Sequence, residues 1–318
     1  MVVTQLNQLF DLYRKSLSMV NPSTDEVFVC PLCLQVFGRD AIESRSLSIE
    51  HVPPSSIGAS VTTLTCTQCN NTAGNCLQNQ MEEYVRHKEF MGGRVPKRGM
   101  PARAEIGDSA WSFVITQIPG QGRMTGFSLG SHVSPKLWPT DLSLLVGKEA
   151  HVTLKLRYSS DIVNVAYLHS AYLALFHCMG YLYIMQRALN SVRDKIASFS
   201  TKGGIQHRLH VPGLHMDPRN SGIEIGMFWK TIDVSCLVVL VAGEVVLMPF
   251  MNDSYIDIFQ MIQESLKKAR DERQSDLRLG MARLLIDPEV KFSKGFTFKC
   301  AEPIDGATTL RLVPITSS

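Results

Sequence analysis

Two Cys-x-x-Cys pairs, Cys30/Cys33 and Cys66/Cys69, constrain this chain more than any other feature. Four thiolates in two knuckles with 32 residues between them suit one tetrahedral zinc ion. In a chain of this length with no secretory leader, such pairs read as a metal site rather than a disulfide framework. The ion would clamp two loops of a segment too short to hold a good core unaided. It would be structural, because a closed four-thiolate site leaves no open position for water.

Outside the knuckles the chain reads as ordinary globular protein. Hydrophobic residues make up 45% and charged residues 19%, enough to fill a core and too little charge for a disordered or low-complexity chain. The net charge of +3, from 32 basic and 29 acidic residues, excludes a strongly basic nucleic-acid coat protein but not a local basic face. A length of 318 residues predicts two domains, 1–100 and 101–318.

The first domain opens with an amphipathic helix over residues 1–20, whose apolar positions include Leu6, Leu9, Phe10, Tyr13 and Leu17. Its charges, Asp11, Arg14 and Lys15, exclude a signal-peptide core and point to a cytoplasmic protein. Short strands are predicted at 26–30, 46–52 and 62–65, and a helix from Asn70 to about Phe90. Residues 91–102 have linker composition, and Arg94, Lys97, Arg98 and Arg103 follow one another without an acid between them.

The second domain is predicted to be α+β. It has strands within 111–157, a long apolar helix from about Ile162 to Phe199, and a hairpin over Cys236–Phe250. A helix over 254–273 and a strand pair near 296–300 and 309–313 complete it. Residues 162–186 carry no Asp, Glu, Lys or Arg and are long enough to cross a bilayer. Asn164, His169, Ser170 and His177 fit a helix buried by protein, packed on an antiparallel sheet, so no membrane is expected.

Chemistry is concentrated in residues 30–75. Between the knuckles stands Glu50-His51-Val-Pro-Pro at a strand end, and directly after the second knuckle come Asn70-Asn71-Thr-Ala-Gly74. This order of motifs resembles the zinc-stabilised branch of the HNH endonuclease family, over about 50 residues of the chain. The resemblance implies a ββα-metal core, with an acid–histidine pair on one strand and an amide on the following helix. It makes His51 the general base that takes a proton from water, a task for which imidazole titrates in a useful range. It makes Glu50 the ligand of a catalytic Mg²⁺ or Mn²⁺, with Asn70 as second ligand and Asn71 in support.

The implied substrate is DNA, with RNA as the alternative, and by analogy the implied role is defence against foreign DNA. Two departures from the family pattern stand out: Glu50 replaces the commoner Asp, and Val61 stands where many relatives have an asparagine that helps to hold the histidine.

Arg94, Lys97, Arg98 and Arg103 are the candidate phosphate contacts. Residues 110–318 carry no recognised motif and are left for targeting, a homodimer interface or a regulatory partner. His207, His210 and His215 read as a solvated or phosphate-facing loop, His169 and His177 as satisfied core residues, and Cys76 as a packed thiol. The rival to the nuclease is a non-catalytic zinc module that docks nucleic acid or a protein partner, which needs only the four cysteines.

Overall fold

A computed structural model describes residues 2–24, 26–58, 61–93, 99–106, 109–117, 125–129, 151–200, 210–215, 224–229, 236–249, 276–278, 280–285, 299–300 and 309–311. The chain is α+β, with helices and small antiparallel sheets. It divides into two compact units, Met1–Asn79 with Ser160–Ser318, and Gln80–Ser159. The second unit is therefore inserted in the first, and neither border falls at the sequence division near residue 100.

Helix α1 (Val2–Val20) buries the expected stripe of Leu6, Leu9, Phe10, Tyr13 and Leu17. Asn21, whose N–H still bonds the Leu17 carbonyl, ends it before Pro22. Strands β1 (Phe28–Val29) and β2 (Val36–Phe37) form a minimal hairpin around the first knuckle. A short helix α2 (Asp40–Glu43) leads to β3 (Leu47–Val52), which pairs antiparallel with β4 (Val61–Cys66). The chain then passes without a break into helix α3 (Thr67–Ala73), a π-bulge at Gly74–Gln78, and helix α4 (Asn79–Met91). A hairpin followed at once by a helix makes this a ββα unit.

The inserted unit carries a four-stranded antiparallel sheet in the order β7-β6-β5-β8, from β5 (Met100–Ile106), β6 (Ser109–Gln117), β7 (Thr125–Leu129) and β8 (His151–Leu154). Met100, Ala102 and Ile115 form its small core, with Phe90 and Leu154 packed against them.

Helix α5 (Ser160–Ile184) returns the chain to the first unit. Its length and composition would let it cross a membrane, yet it is mostly buried within the protein. It packs on α1, on the β3–β4 hairpin, and on strands β11 (Cys236–Val241) and β12 (Glu244–Pro249). It is not the single helix to Phe199 that composition predicts. At Gly180 the backbone takes φ 61° and ψ −151°, a conformation open almost only to glycine, and α6 (Leu189–Ala197) follows as a separate helix. The Tyr181 N–H, released by that kink, bonds Ser16 Oγ at 3.1 Å.

The remaining sheet runs β15-β14-β10-β11-β12-β9, adding β9 (His210–His215), β10 (Glu224–Trp229), β14 (Gly280–Leu285) and β15 (Lys299–Cys300). The predicted β11–β12 hairpin turns at Ala242 and Gly243, both with positive φ, which matches strand twist. Among the described residues the two predicted last strands do not pair with each other. β15 pairs with β14, whereas β16 (Thr309–Arg311) pairs with β13 (Asp276–Arg278). Residues 254–273 lie outside the described residues.

Candidate metal centre and the Glu50–His51 strand

The sequence brings the four cysteines together from two unlike supports. Cys30 leaves the β1–β2 hairpin, where its N–H bonds the Gln35 carbonyl and its own carbonyl accepts from Leu34 N, both at 2.9 Å. Closing that turn puts Leu34 at φ 59°, an uncommon backbone state for a branched residue. Cys66 ends β4 and caps α3, its Sγ accepting from Cys69 N at 3.4 Å. The cap is therefore Cys66. Asn70, predicted to stand at the helix start, lies one turn in.

The Sγ atoms of Cys30, Cys33, Cys66 and Cys69 all lie within 4.8 Å of one another, and Cys66 N points at Cys30 Sγ at 3.5 Å. So many sulfurs cannot ionise together without a cation. Hydrogen bonding with its three neighbours holds the Cys30 proton tightly, far above the usual thiol range. The bond from Cys30 pulls Cys66 down to about 2. Two backbone N–H groups directed at sulfur, and four soft donors at this spacing, fit a metal ion such as zinc. Among the described residues this is the one group of metal-ligating side chains of that kind.

The second group of interest lies on β3, where successive side chains point to opposite faces. Glu50 turns inward and is 2% exposed, while His51 is exposed. Cross-strand register sets Glu50 opposite Thr63 and His51 opposite Thr62. The helix meets the Glu50 face in two places. Asn70 Nδ2 donates to Ser48 Oγ at 2.9 Å and to the Ile49 carbonyl at 3.0 Å. One π-bulge later, Gln78 Nε2 donates to Glu50 Oε1 at 2.5 Å.

Glu50 Oε2 is buried with no hydrogen-bond partner among the described residues, and burial pushes the carboxyl up to about 7 despite the opposing bond from Gln78. A buried oxygen left open in this way is unusual enough to ask what completes it.

The residue that reaches Glu50 is therefore Gln78, which sequence reasoning missed. Asn70 instead staples the helix to the strand backbone. On a regular helix, positions eight apart are roughly 80° out of phase. The wider π turn brings Gln78 back onto the face it shares with Asn70, and such bulges recur at functional sites. The signal in the sequence was faint: Gly74-Asn75 in mid-helix.

Asn71 and Cys76 are exposed, so Cys76 is not the packed thiol that its position predicts. Val61 pairs with Val52 at the loop end of the hairpin, and no described residue hydrogen-bonds the His51 ring. His177 is satisfied, bonded through Nδ1 to the Thr62 carbonyl at 2.9 Å. His169 is not: its Nε2 is buried without a partner among the described residues, and burial lowers its pKa to about 4. Arg103 is exposed on β5, His210 and His215 end β9, and Arg94, Lys97, Arg98 and His207 lie outside the described residues.

No protein-family model matches the chain, and neither the curated proteins nor the solved structures hold a match.

Proposed function

We propose that the chain is a metal-dependent endonuclease of the HNH type that hydrolyses phosphodiester bonds in DNA. One observation carries this reading. In a ββα unit with four clustered cysteines, adjacent strand residues present a carboxylate to the helix and an imidazole to solvent. His51, exposed on that strand, would accept the proton of a water attacking phosphorus. Glu50, with its open Oε2, would hold a divalent ion with the amide of Gln78 or Asn70, and that ion would supply positive charge to the phosphate oxygens. Gln78 would orient the carboxylate, and the Asn70 staple would fix the distance between helix and strand. Zinc at the cysteines would be structural.

Charge supports a division of labour. Residues 1–79 hold four basic against six acidic residues, whereas residues 80–103 hold six basic against three. Phosphate affinity would therefore come from the segment with Arg94, Lys97, Arg98 and Arg103 rather than from the ββα unit.

A second reading has its own observation. Glu50 is sealed and already bonded, and the Asn70 amide is committed to β3, as a purely structural zinc module would have them. Such a module would dock nucleic acid or a protein and cut nothing. Supercoiled plasmid incubated with zinc-loaded protein and Mn²⁺ separates the two. The nuclease nicks it and the Glu50→Gln variant does not, whereas the module leaves it intact at every protein concentration.

A further inference from the structure

The first knuckle is held from behind by the α5–α6 corner, through bonds that involve no cysteine side chain. Tyr172 of α5 donates to the Pro31 carbonyl at 2.8 Å, inside the Cys30–Cys33 loop. Pro31 has no N–H, so its carbonyl is the one backbone polar group through which that residue can be fixed. Directly before Cys30, the Tyr181 hydroxyl donates to the Val29 carbonyl at 2.5 Å and accepts from Val29 N at 2.9 Å. Both tyrosines are fully buried.

Behind Tyr172 stands Arg193 of α6, 7% exposed, donating to the Tyr172 hydroxyl at 3.1 Å and to the Ile184 carbonyl at 2.6 Å. Its third partner is Asn190 Oδ1. These acceptors are all neutral oxygens. A guanidinium buried with no carboxylate partner among the described residues is costly, and here its bonds fix the corner where α5 ends and α6 begins.

We propose that Tyr172 and Tyr181, with Arg193 behind Tyr172, are positioning residues of the cysteine metal site. Through them the α5–α6 corner sets how tightly the first knuckle keeps its ion. This rests on the metal reading of the cysteines and not on the nuclease reading. A ligand pair binds well only when its backbone is already in place, so removing an outer bond loosens the site without touching a ligand. Cys33, the exposed ligand, leaves first when the Pro31 peptide is free to turn. The same helix reaches the β11–β12 hairpin through the Tyr183 hydroxyl, which donates to the Pro249 carbonyl at 2.9 Å.

Tyr183 provides the control, because it loses a similar buried bond on the same helix without facing the knuckle. The experiment follows zinc release from full-length protein into an excess of colorimetric chelator, for wild type, Tyr172→Phe, Tyr181→Phe and Tyr183→Phe. Urea unfolding midpoints are measured alongside. Tyr172→Phe and Tyr181→Phe are expected to release zinc about 10-fold faster, at the low end for outer-shell changes, with Tyr183→Phe close to wild type. Equal release by all three, or rates that simply follow the unfolding midpoints, overturns the proposal. Wild-type protein that neither contains nor takes up zinc overturns the metal reading and the proposal together.

Discussion

The cysteine cluster and the Glu50–His51 strand lie in one short stretch of chain, yet they are built on opposite principles. The cluster supplies a complete set of donors: four sulfurs within 4.8 Å, with backbone N–H groups turned toward them. The strand supplies an incomplete one. One carboxylate oxygen is bonded to Gln78, the other has no partner among the described residues, and the neighbouring imidazole stands in solvent. A closed donor set stabilises a fold, whereas an open one waits for something from outside, whether an ion, a water or a phosphate. In the proposed nuclease the first site holds the second in shape.

The largest expected effect falls on the closed site. Cys66→Ala removes both one of the four clustered sulfurs and the cap of α3, and should abolish zinc retention. Closed zinc sites contribute on the order of 10 kcal/mol in small domains, so unfolding of the first unit should lose its cooperativity. A variant that still unfolds sharply with no bound metal, by circular dichroism and elemental analysis, would show that the cluster is dispensable.

Next come two buried groups that pH separates, Glu50 of the open site and His169 on α5. The Glu50 carboxyl is raised from 4.5 to about 7, so its contribution is present below pH 4.5 and is lost as pH rises through about 7. The His169 imidazole is lowered from 6.5 to about 4, so its contribution is present above pH 6.5 and is lost as pH falls through about 4. Each amounts to roughly 3 kcal/mol, and the two slopes oppose each other between them. Glu50→Gln should therefore expose acid destabilisation, and His169→Leu should expose stability that falls toward neutral pH. Taking the difference from wild type at each pH cancels titration of the cysteines. Parallel curves for wild type and both variants would mean that neither group is held as described.

The smallest effect concerns how the first knuckle turns. Leu34→Gly relieves the positive φ at a partly exposed position, and should raise the unfolding free energy by about 0.5 kcal/mol, net of glycine's own entropy cost. A loss instead would show that the Leu34 side chain packs usefully despite its backbone.

What could be read from the sequence tracks how local each determinant is. Cysteine spacing predicts the cluster, and strand periodicity predicts β3 and β4 to within a residue or two. Apolar spacing likewise predicts α1. The in–out alternation of Glu50 and His51 follows from the strand alone. Gln78 could not be found this way, because a single π-bulge changes the helix phase, and bulges have no firm sequence signature. The break at Gly180 was hidden too. One glycine in an apolar run is compatible with a continuous helix, and the alternative depends on Ser16, far away in sequence, to take the freed N–H. The inserted unit was equally out of reach, since local composition places a linker near residue 100 while long-range packing carries α5 back to α1 and the β3–β4 hairpin.

The most direct test of the proposed chemistry compares zinc-loaded wild type with His51→Ala on supercoiled plasmid in Mn²⁺. His51 is exposed, so its removal should leave the unfolding midpoint within about 0.5 kcal/mol of wild type. The nuclease predicts nicking by wild type and a loss of 10²-fold or more in the variant, as for removal of a general base. Equal nicking by both proteins, or none by either with zinc fully bound, would contradict it.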